Sequence, residues 1–240
     1  MTGTDDMART AVDPRRTGIA QLADLPALKG SSTLSDQLYG VLEEAVITGA
    51  LEAGQRIRAD DIAAHYGISR IPVREILRAL DSAGWIEVRP RHGAYVRART
   101  AEELAQLFEV RLILEGESAA LAAKRITPDR IRALEETLAA QRISLKAGDD
   151  AEVARLNTRF HQVVAEAAGN AVLAELLDRL SKRVRFYFST VAHNRGRRSL
   201  AEHAKLIDAL KRNDAVAAAA VTREHVEATR AAVRDLLDGR

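Results

Sequence analysis

Apolar residues recur every three or four positions over most of this chain, which predicts a mainly α-helical protein. The first such stripe covers residues 34–48 and ends at Gly49. A second, shorter helix is expected to begin at Asp60 as its capping residue and to end near Tyr66. Gly67 then turns the chain into a third helix.

The third predicted helix separates its charged positions from its apolar ones. Arg70, Arg74 and Arg78 recur every four residues and therefore form one stripe. Ser69 precedes them and is expected to cap the helix. The opposite face is apolar and consists of Val73, Ile76, Leu77 and Leu80. Such a helix suits the DNA major groove, although three arginines alone are explained more simply by a solvated basic face.

Two segments of alternating hydrophobicity follow, residues 85–89 and 94–97, and they predict a β-hairpin. Pro90-Arg91-His92-Gly93 separates them, so the hairpin has a basic tip. Helix, helix, turn, helix and hairpin together predict a winged helix-turn-helix over residues 31–98. Residues 1–30 mix both charge signs without a sustained period and predict a disordered arm.

The remainder, residues 99–240, has a helical pattern throughout and predicts an all-α, six-helix antiparallel bundle. The predicted helices cover residues 101–124, 128–146, 150–168, 171–193, 199–212 and 214–238. The breaks between them fall at Thr127-Pro128, Gly148-Asp149, Gly169-Asn170, Gly196 and Asn213-Asp214. A bundle of this kind is compatible with a domain that only dimerises.

Four candidate metal ligands lie in the predicted bundle: Asn157, His161, His203 and His225. The first two are four residues apart and share one helix face. The last two are equally far from the turn at residue 214, so they lie at one level of an antiparallel helix pair. A single histidine is more often an ordinary core or surface residue. Three imidazoles with an amide oxygen, however, suit a divalent transition metal, zinc or nickel first among them.

Composition and charge narrow the class of protein. The 240 residues include no cysteine, which excludes disulfides and thiolate chemistry. No apolar run approaches the ~20 residues of a membrane span, so we expect a cytoplasmic protein without a membrane partner. The net charge of +2 does not indicate a nucleic-acid partner by itself. Between positions 70 and 99, however, the chain has seven arginines and only three acidic residues. Phosphate contacts require cations clustered in this way.

The first domain resembles the DNA-binding domain of GntR-type bacterial transcription regulators. The resemblance rests on Gly49-Ala50-Leu51-Glu52-Ala53-Gly54, on the Ser-Arg-x-Pro-Val-Arg-Glu run that begins at Ser69, and on Gly93-Ala94-Tyr95-Val96. It implies that Ser69, Arg70 and Arg74 contact operator bases or phosphates, and that the His92-Gly93 tip enters the minor groove. Ile71 stands where the family usually has threonine, and Asp60 where an arginine often reads a base.

The second domain resembles the FCD ligand-binding domain of the FadR-type branch of that family. Its metal-binding members carry Asp-x-x-x-His and two further histidines, which the four candidate ligands match with Asn157 in place of the aspartate. The stretch Arg111-Leu112-Ile113-Leu114-Glu115 matches the first-helix signature, so Arg111 is expected to face an effector. Six helices are closer to the shorter, VanR-like subgroup.

These features predict a homodimeric, ligand-responsive transcription regulator, and the resemblance to the GntR family implies a repressor rather than an activator. Its expected partners are double-stranded operator DNA and a small carboxylate effector held at the metal. One alternative is a metal-free regulator whose histidines contact the ligand directly. A metalloenzyme is disfavoured because the chain has no His-Glu-x-x-His motif. A purely structural DNA-binding dimer is the remaining alternative.

Overall fold

The computed structural model describes residues 25–28 and 33–239. Contacts divide the chain into two compact units. The first extends to Ala45 and resumes over Leu51–Arg97, whereas Val46–Ala50 and the residues from Ala98 onward form the second. The arm predicted over residues 1–30 lies outside the described residues except for 25–28. Within the described ranges, no helix is long and apolar enough to cross a membrane.

The first unit is a winged helix-turn-helix, as predicted. Its elements are α1 (Leu34–Thr48), β1 (Arg56–Ile57), α2 (Ala59–Tyr66), α3 (Arg70–Ser82), β2 (Ile86–Arg89) and β3 (Gly93–Val96). The strands form an antiparallel sheet in the order β1-β3-β2. The hairpin is therefore confirmed, and β1 adds a third strand to it.

The turn between α2 and α3 depends on Gly67, which adopts a φ of +64° at the end of α2. Glycine reaches this left-handed region without the steric cost that a side chain would impose. The apolar face predicted for α3 is buried, with Val73 and Leu80 fully inaccessible to solvent. Burial of this face leaves the arginine stripe of α3 on the outside of the unit.

Two predicted helix caps are wrong. Arg58, rather than Asp60, occupies the N-cap position of α2. Asp60 lies in the first turn, where its Oδ1 is 3.0 Å from Nε of Arg70 on the next helix. Ser69 does occupy the N-cap position of α3, but its side chain makes no capping hydrogen bond. The Asp60 carboxylate thus pairs with the guanidinium of Arg70 across the turn and does not cap the backbone of its own helix.

The second unit is the predicted six-helix bundle. Its helices are α4 (Ala101–Arg125), α5 (Pro128–Ala147), α6 (Asp150–Ala167), α7 (Ala171–Phe188), α8 (Ala192–Lys211) and α9 (Ala215–Leu237). The first four of these helices and α9 begin at a side chain that accepts a backbone N–H three residues later. These caps are Thr100, Thr127, Asp149, Asn170 and Asp214.

Small and branched apolar side chains fill the bundle. Ala119, Ala122 and Ala123 of α4 are fully buried, and they pack in one cluster with Phe160 of α6 and Leu210 of α8. Alanine lets helix backbones approach closely, so polar side chains on facing helices come within reach of one another. The core therefore determines the spacing of the polar cluster described below.

The predicted break at Gly196 is wrong. Helix α7 ends at Phe188 and α8 begins at Ala192, so Gly196 lies inside α8. A Cβ at this position would lie 3.0 Å from Cδ1 of Leu145 on α5 and 3.4 Å from Cγ1 of Val153 on α6. The absence of a side chain at Gly196 therefore allows α5, α6 and α8 to approach closely, and the glycine does not interrupt the helix.

We expect Gly196→Val to lower the free energy of unfolding by about 1–3 kcal/mol, because a branched side chain overpacks this contact. Ala201→Val is the matched control, since Ala201 is exposed on the same helix. Valine there should cost only the difference in helix propensity, at most about 0.7 kcal/mol. Chemical denaturation of the full chain measures both, and equal stability of the two variants would contradict the close approach.

Candidate DNA-binding surface and metal centre

A groove of about 520 Å³ lies between α3 and the β2–β3 hairpin of the first unit. Its lining is strongly basic and contains six arginines, namely Arg56, Arg58, Arg74, Arg78, Arg89 and Arg91. Asp60 is the acidic residue in the same lining. Guanidinium groups concentrated in this way attract phosphates and can donate two hydrogen bonds to a base edge.

The structure brings three of the six predicted DNA-binding residues to the lining of this groove. Arg74, Arg78 and Gly93 line the groove. His92 lies at the exposed tip of the hairpin, where its backbone N–H donates to the backbone carbonyl of Arg89 at 3.0 Å. Arg70 and Ser69 are exposed at the start of α3 but are not part of the lining.

Sequence reasoning missed the contribution of strand β1. Arg56 pairs with Tyr95 in the register of β1 and β3, which brings its side chain beside the hairpin. A Cβ on Gly93 would lie 3.1 Å from Nε of Arg56, and Gly93 has a φ of +108°. Glycine at this position thus leaves room for the side chain of Arg56. Because the two residues are far apart in the chain, local sequence pattern does not reveal this contact.

In the second unit, His161 of α6, His203 of α8 and His225 of α9 converge. One ring nitrogen from each lies within 4.8 Å of the others. Nε2 of His161 and Nε2 of His225 are 3.2 Å apart. Two nitrogens bound to one zinc ion at about 2.0–2.1 Å with tetrahedral angles lie about 3.3 Å apart, so this separation fits a shared ion.

Each of the three histidines has an acceptor beside its Nδ1. Nδ1 of His225 is 2.7 Å from Oε2 of Glu202, and Nδ1 of His203 is 3.3 Å from Oε1 of Gln141. Nδ1 of His161 is 3.1 Å from Oε2 of Glu115. An acceptor at Nδ1 favours the tautomer whose Nε2 carries a lone pair, which is the form that binds metals.

Burial keeps two of these imidazoles neutral. Desolvation, followed by the neighbouring imidazole of His225, lowers the pKa of His203 well below its usual value. Desolvation and the imidazole of His161 act in the same way on the pKa of His225. Neutral imidazole is the metal-binding form, so these two residues can coordinate an ion without first losing a proton.

A cavity of about 420 Å³ opens beside the histidines, and Arg111, Asn157 and His161 line it. Asn157 is 2 % exposed, and its Oδ1 has no hydrogen-bond partner among the described residues. Nε2 of His203 is likewise buried without a partner there. Two acceptors buried without donors are costly, which indicates that a cation or a donor belongs beside them.

Arg111 is almost fully buried and forms an ion pair with Glu115, with Nε 2.6 Å from Oε1. Burial raises the pKa of the Glu115 carboxyl, but Arg111 and His161 more than offset this and hold it well below its usual range. Nη1 of Arg111 has no partner among the described residues. The guanidinium therefore retains a donor for a bound anion.

Sequence reasoning gave no role to Glu115, Gln141 or Glu202. The spacing of Arg111 and Glu115, four residues apart, was a signal for an ion pair on one helix face. Gln141 and Glu202 lie on other helices, and only the packing of the bundle brings them to the histidines. The structure also places His193 inside α8, with Nδ1 3.3 Å from Oδ1 of Asp150.

Comparison with known proteins identifies both units. The family model described as "Bacterial regulatory proteins, gntR family" matches residues 34–96. The FCD domain model matches residues 106–228, half of the chain. The chain belongs to the GntR family of regulators with an FCD domain. It is a DNA-binding transcription regulator and not an enzyme.

Individual relatives agree with this assignment. The chain is 26% identical over 185 residues to the HTH-type transcriptional regulator YdhC of Bacillus subtilis, covering 76% of this chain and 83% of that protein. It is 24% identical to the HTH-type transcriptional repressor RspR of Escherichia coli, covering 87% and 92%. The solved structure of E. coli McbR/YncC has the same fold, with a TM-score of 0.74 at 23% identity and coverage of 86% and 100%.

The lowered pKa values of the two buried histidines predict acid lability of this GntR-family chain after treatment with a chelator. Below about pH 6.5 the unfolded chain binds protons that folded His203 and His225 do not bind, so acid favours unfolding. We expect the free energy of unfolding to fall by up to about 1.4 kcal/mol per pH unit for each of them. Denaturant titrations between pH 7 and 5 measure this slope.

His203→Gln should reduce the slope by about one proton, because one of the two groups is then absent. His193→Gln is the control, since His193 is exposed on the same helix, and it should leave the slope unchanged. An identical slope in wild type and His203→Gln would show that His203 takes up a proton in the folded state.

Proposed function

We propose that this chain is a ligand-responsive repressor that binds double-stranded operator DNA and is released by a small carboxylate held at a divalent metal. The observation that carries this proposal is the convergence of three imidazoles, with one ring nitrogen of each within 4.8 Å of the others and an acceptor beside each Nδ1. Imidazoles with an acceptor beside the ring nitrogen that does not bind the ion are typical of metal ligands.

The ligands of the metal would be His161, His203 and His225, with the amide oxygen of Asn157. The partnerless Oδ1 of Asn157 and Nε2 of His203 support this set. Imidazole nitrogens with one neutral oxygen suit zinc or nickel. Such an ion would supply a positive charge for an anionic ligand in the adjoining cavity.

The charge balance around the histidines favours an anionic effector. Arg111 is paired with Glu115, and Arg195 with Glu202, so these four side chains cancel in charge. Asn157 is neutral where an aspartate would offset part of the metal charge. A carboxylate would restore that balance and accept a hydrogen bond from Nη1 of Arg111. Apolar side chains such as Val164, Leu177 and Leu206 line the rest of the cavity and would contact a carbon skeleton.

The arginine-lined groove of the first unit is the DNA-binding surface in this proposal. Arg70, Arg74 and Arg78 would follow the major groove, while His92 and Gly93 would enter the adjacent minor groove. Ile71 is 71% exposed in the first turn of α3, and an apolar side chain there can contact a thymine methyl group. A two-fold homodimer would present two such surfaces to the half-sites of an operator.

Release by the effector requires that the effector binds the DNA-free form more tightly than the DNA-bound form. The name of RspR, a transcriptional repressor, supports repression over activation.

A protein that binds operator DNA in a bacterium works in the cytoplasm, and the six-helix bundle favours the VanR-like subgroup. In a metal-free regulator the same histidines would contact the effector directly, and metal analysis separates the two cases.

We expect Arg74→Ala to weaken operator binding by about 1–3 kcal/mol if the guanidinium contacts a base, and to reduce the salt slope by about one if it contacts a phosphate. Arg56→Ala should show the smaller, salt-dependent effect of a phosphate contact. Fluorescence anisotropy with an operator selected from random DNA measures both at several salt concentrations. Arg132→Ala, an exposed arginine of the second unit, is the control. Unchanged affinity of both groove variants would contradict the proposed surface.

We expect the purified chain to bind about one divalent metal ion, and replacement of any proposed ligand histidine by alanine to lower that content. His193→Ala should leave the metal content unchanged.

Glu202→Gln should weaken metal binding about 10–100-fold, because His225 loses its charged partner. Asn157→Asp should tighten the metal, since it adds a negative charge, and should weaken an anionic effector. Elemental analysis with calorimetry decides this, and a wild type that cannot be loaded would favour the metal-free alternative.

A further inference from the structure

Two hydroxyl groups in the cavity of the second unit have no hydrogen-bond partner among the described residues. Ser118 of α4 is 1% exposed and Thr222 of α9 is 2% exposed, and both line the cavity. Buried hydroxyls almost always have a partner, because the loss of hydration is otherwise uncompensated. These two groups therefore point to a ligand that the cavity accepts.

Ser199 of α8 is also buried without a hydrogen-bond partner among the described residues, but it does not line the cavity. Three other hydroxyls in the helices of this unit bond to the backbone of their own helix. Thr137, Thr158 and Thr229 each donate to the backbone carbonyl four residues earlier, at 2.7, 3.1 and 2.9 Å. Ser118 and Thr222 make no such bond. Alanine and valine would fill the same space in this alanine-rich core, so packing alone does not account for the hydroxyls.

The helical register places both hydroxyls beside the proposed metal centre. Ser118 follows Glu115 by three residues on α4, and Thr222 precedes His225 by three residues on α9. Three residues correspond to a rise of about 4.5 Å along a helix axis. Leu206 follows His203 by the same number on α8 and also lines the cavity. The layer next to the histidines thus combines two hydroxyls with an apolar side chain.

We propose that Ser118 and Thr222 form a second polar subsite, which binds a hydroxyl or carbonyl oxygen of the effector. The inference rests on the proposed function, in which a carboxylate of the effector is held at the histidines. Because the two hydroxyls are displaced by about 4.5 Å of helix rise from Glu115 and His225, they would contact an oxygen on the β or γ carbon of the acid rather than on its α carbon. The effector class is therefore a β- or γ-hydroxy or oxo acid rather than a simple alkyl carboxylate.

Calorimetry on the metal-loaded full chain with two matched acids, butyrate and β-hydroxybutyrate, tests this inference. We expect wild type to prefer the hydroxy acid by about tenfold, the effect of one additional hydrogen bond in a buried site. The double variant Ser118→Ala, Thr222→Val keeps the side-chain volume and removes both hydroxyls. It should bind the two acids equally, with its affinity for butyrate and its metal content unchanged.

Two further measurements exclude a structural role of the hydroxyls. The preference for α-hydroxybutyrate over butyrate should be the same in wild type and in the double variant, because an α-hydroxyl lies beside the metal. The thermal midpoint of the ligand-free double variant should be unchanged or higher, since no hydrogen bond is lost. A lower midpoint would assign the hydroxyls to stability and overturn the inference.

The failure of this inference and that of the proposed function give different results. Equal affinity of wild type for butyrate and β-hydroxybutyrate, or a preference that survives in the double variant, overturns the subsite and leaves the metal-bound carboxylate intact. If the metal-loaded chain binds none of these acids, the proposed effector class is itself wrong, and the subsite is rejected with it.

Discussion

Three imidazoles that converge in the core, two of them buried, impose the main constraint on the helical unit. Imidazole rings packed this closely need an acceptor for each N–H and a partner for each lone pair. Glu115, Gln141 and Glu202 lie beside the three Nδ1 atoms. Because these acceptors come from α4, α5 and α8, the cluster joins more helices than those that carry the histidines.

The acidic acceptors create a second requirement, which two buried arginines meet. Arg111 pairs with Glu115, and Arg195 donates to Glu202 and to the carbonyl of His225 at 3.3 Å. A carboxylate buried without such a partner would be strongly destabilising. The polar core is thus a connected network in which loss of either arginine leaves a carboxylate without its cation. Arg111, Glu115 and His161 of this network line the cavity in which an effector would bind.

In the first unit the constraint is repulsion among arginines. Six guanidinium groups line one groove, and an apolar face of α3 packed into the core holds three of the predicted arginines on the outside. Asp61 and Glu87 offset part of this charge through their pairs with Arg58 and Arg89. The remaining positive charge is unfavourable in the free protein and becomes favourable beside phosphates, so a basic groove of this kind is suited to DNA.

The sequence by itself determined the features that depend on local pattern. Helical periodicity, turn residues and the Ser-Arg-x-Pro-Val-Arg-Glu run were sufficient for the winged helix-turn-helix and for the six helices, because each is encoded within a few residues of its own position. The common level of His203 and His225 followed from their equal distance from the turn at residue 214. Local pattern failed at Gly196, where a glycine typical of a break instead allows helices α5, α6 and α8 to approach. Tertiary structure alone decided the partners of the histidines, the place of Arg56 beside Gly93 and the partnerless hydroxyls of Ser118 and Thr222. These relations join residues far apart in the chain, and they follow from how closely the helices and strands pack rather than from the propensity of any single segment.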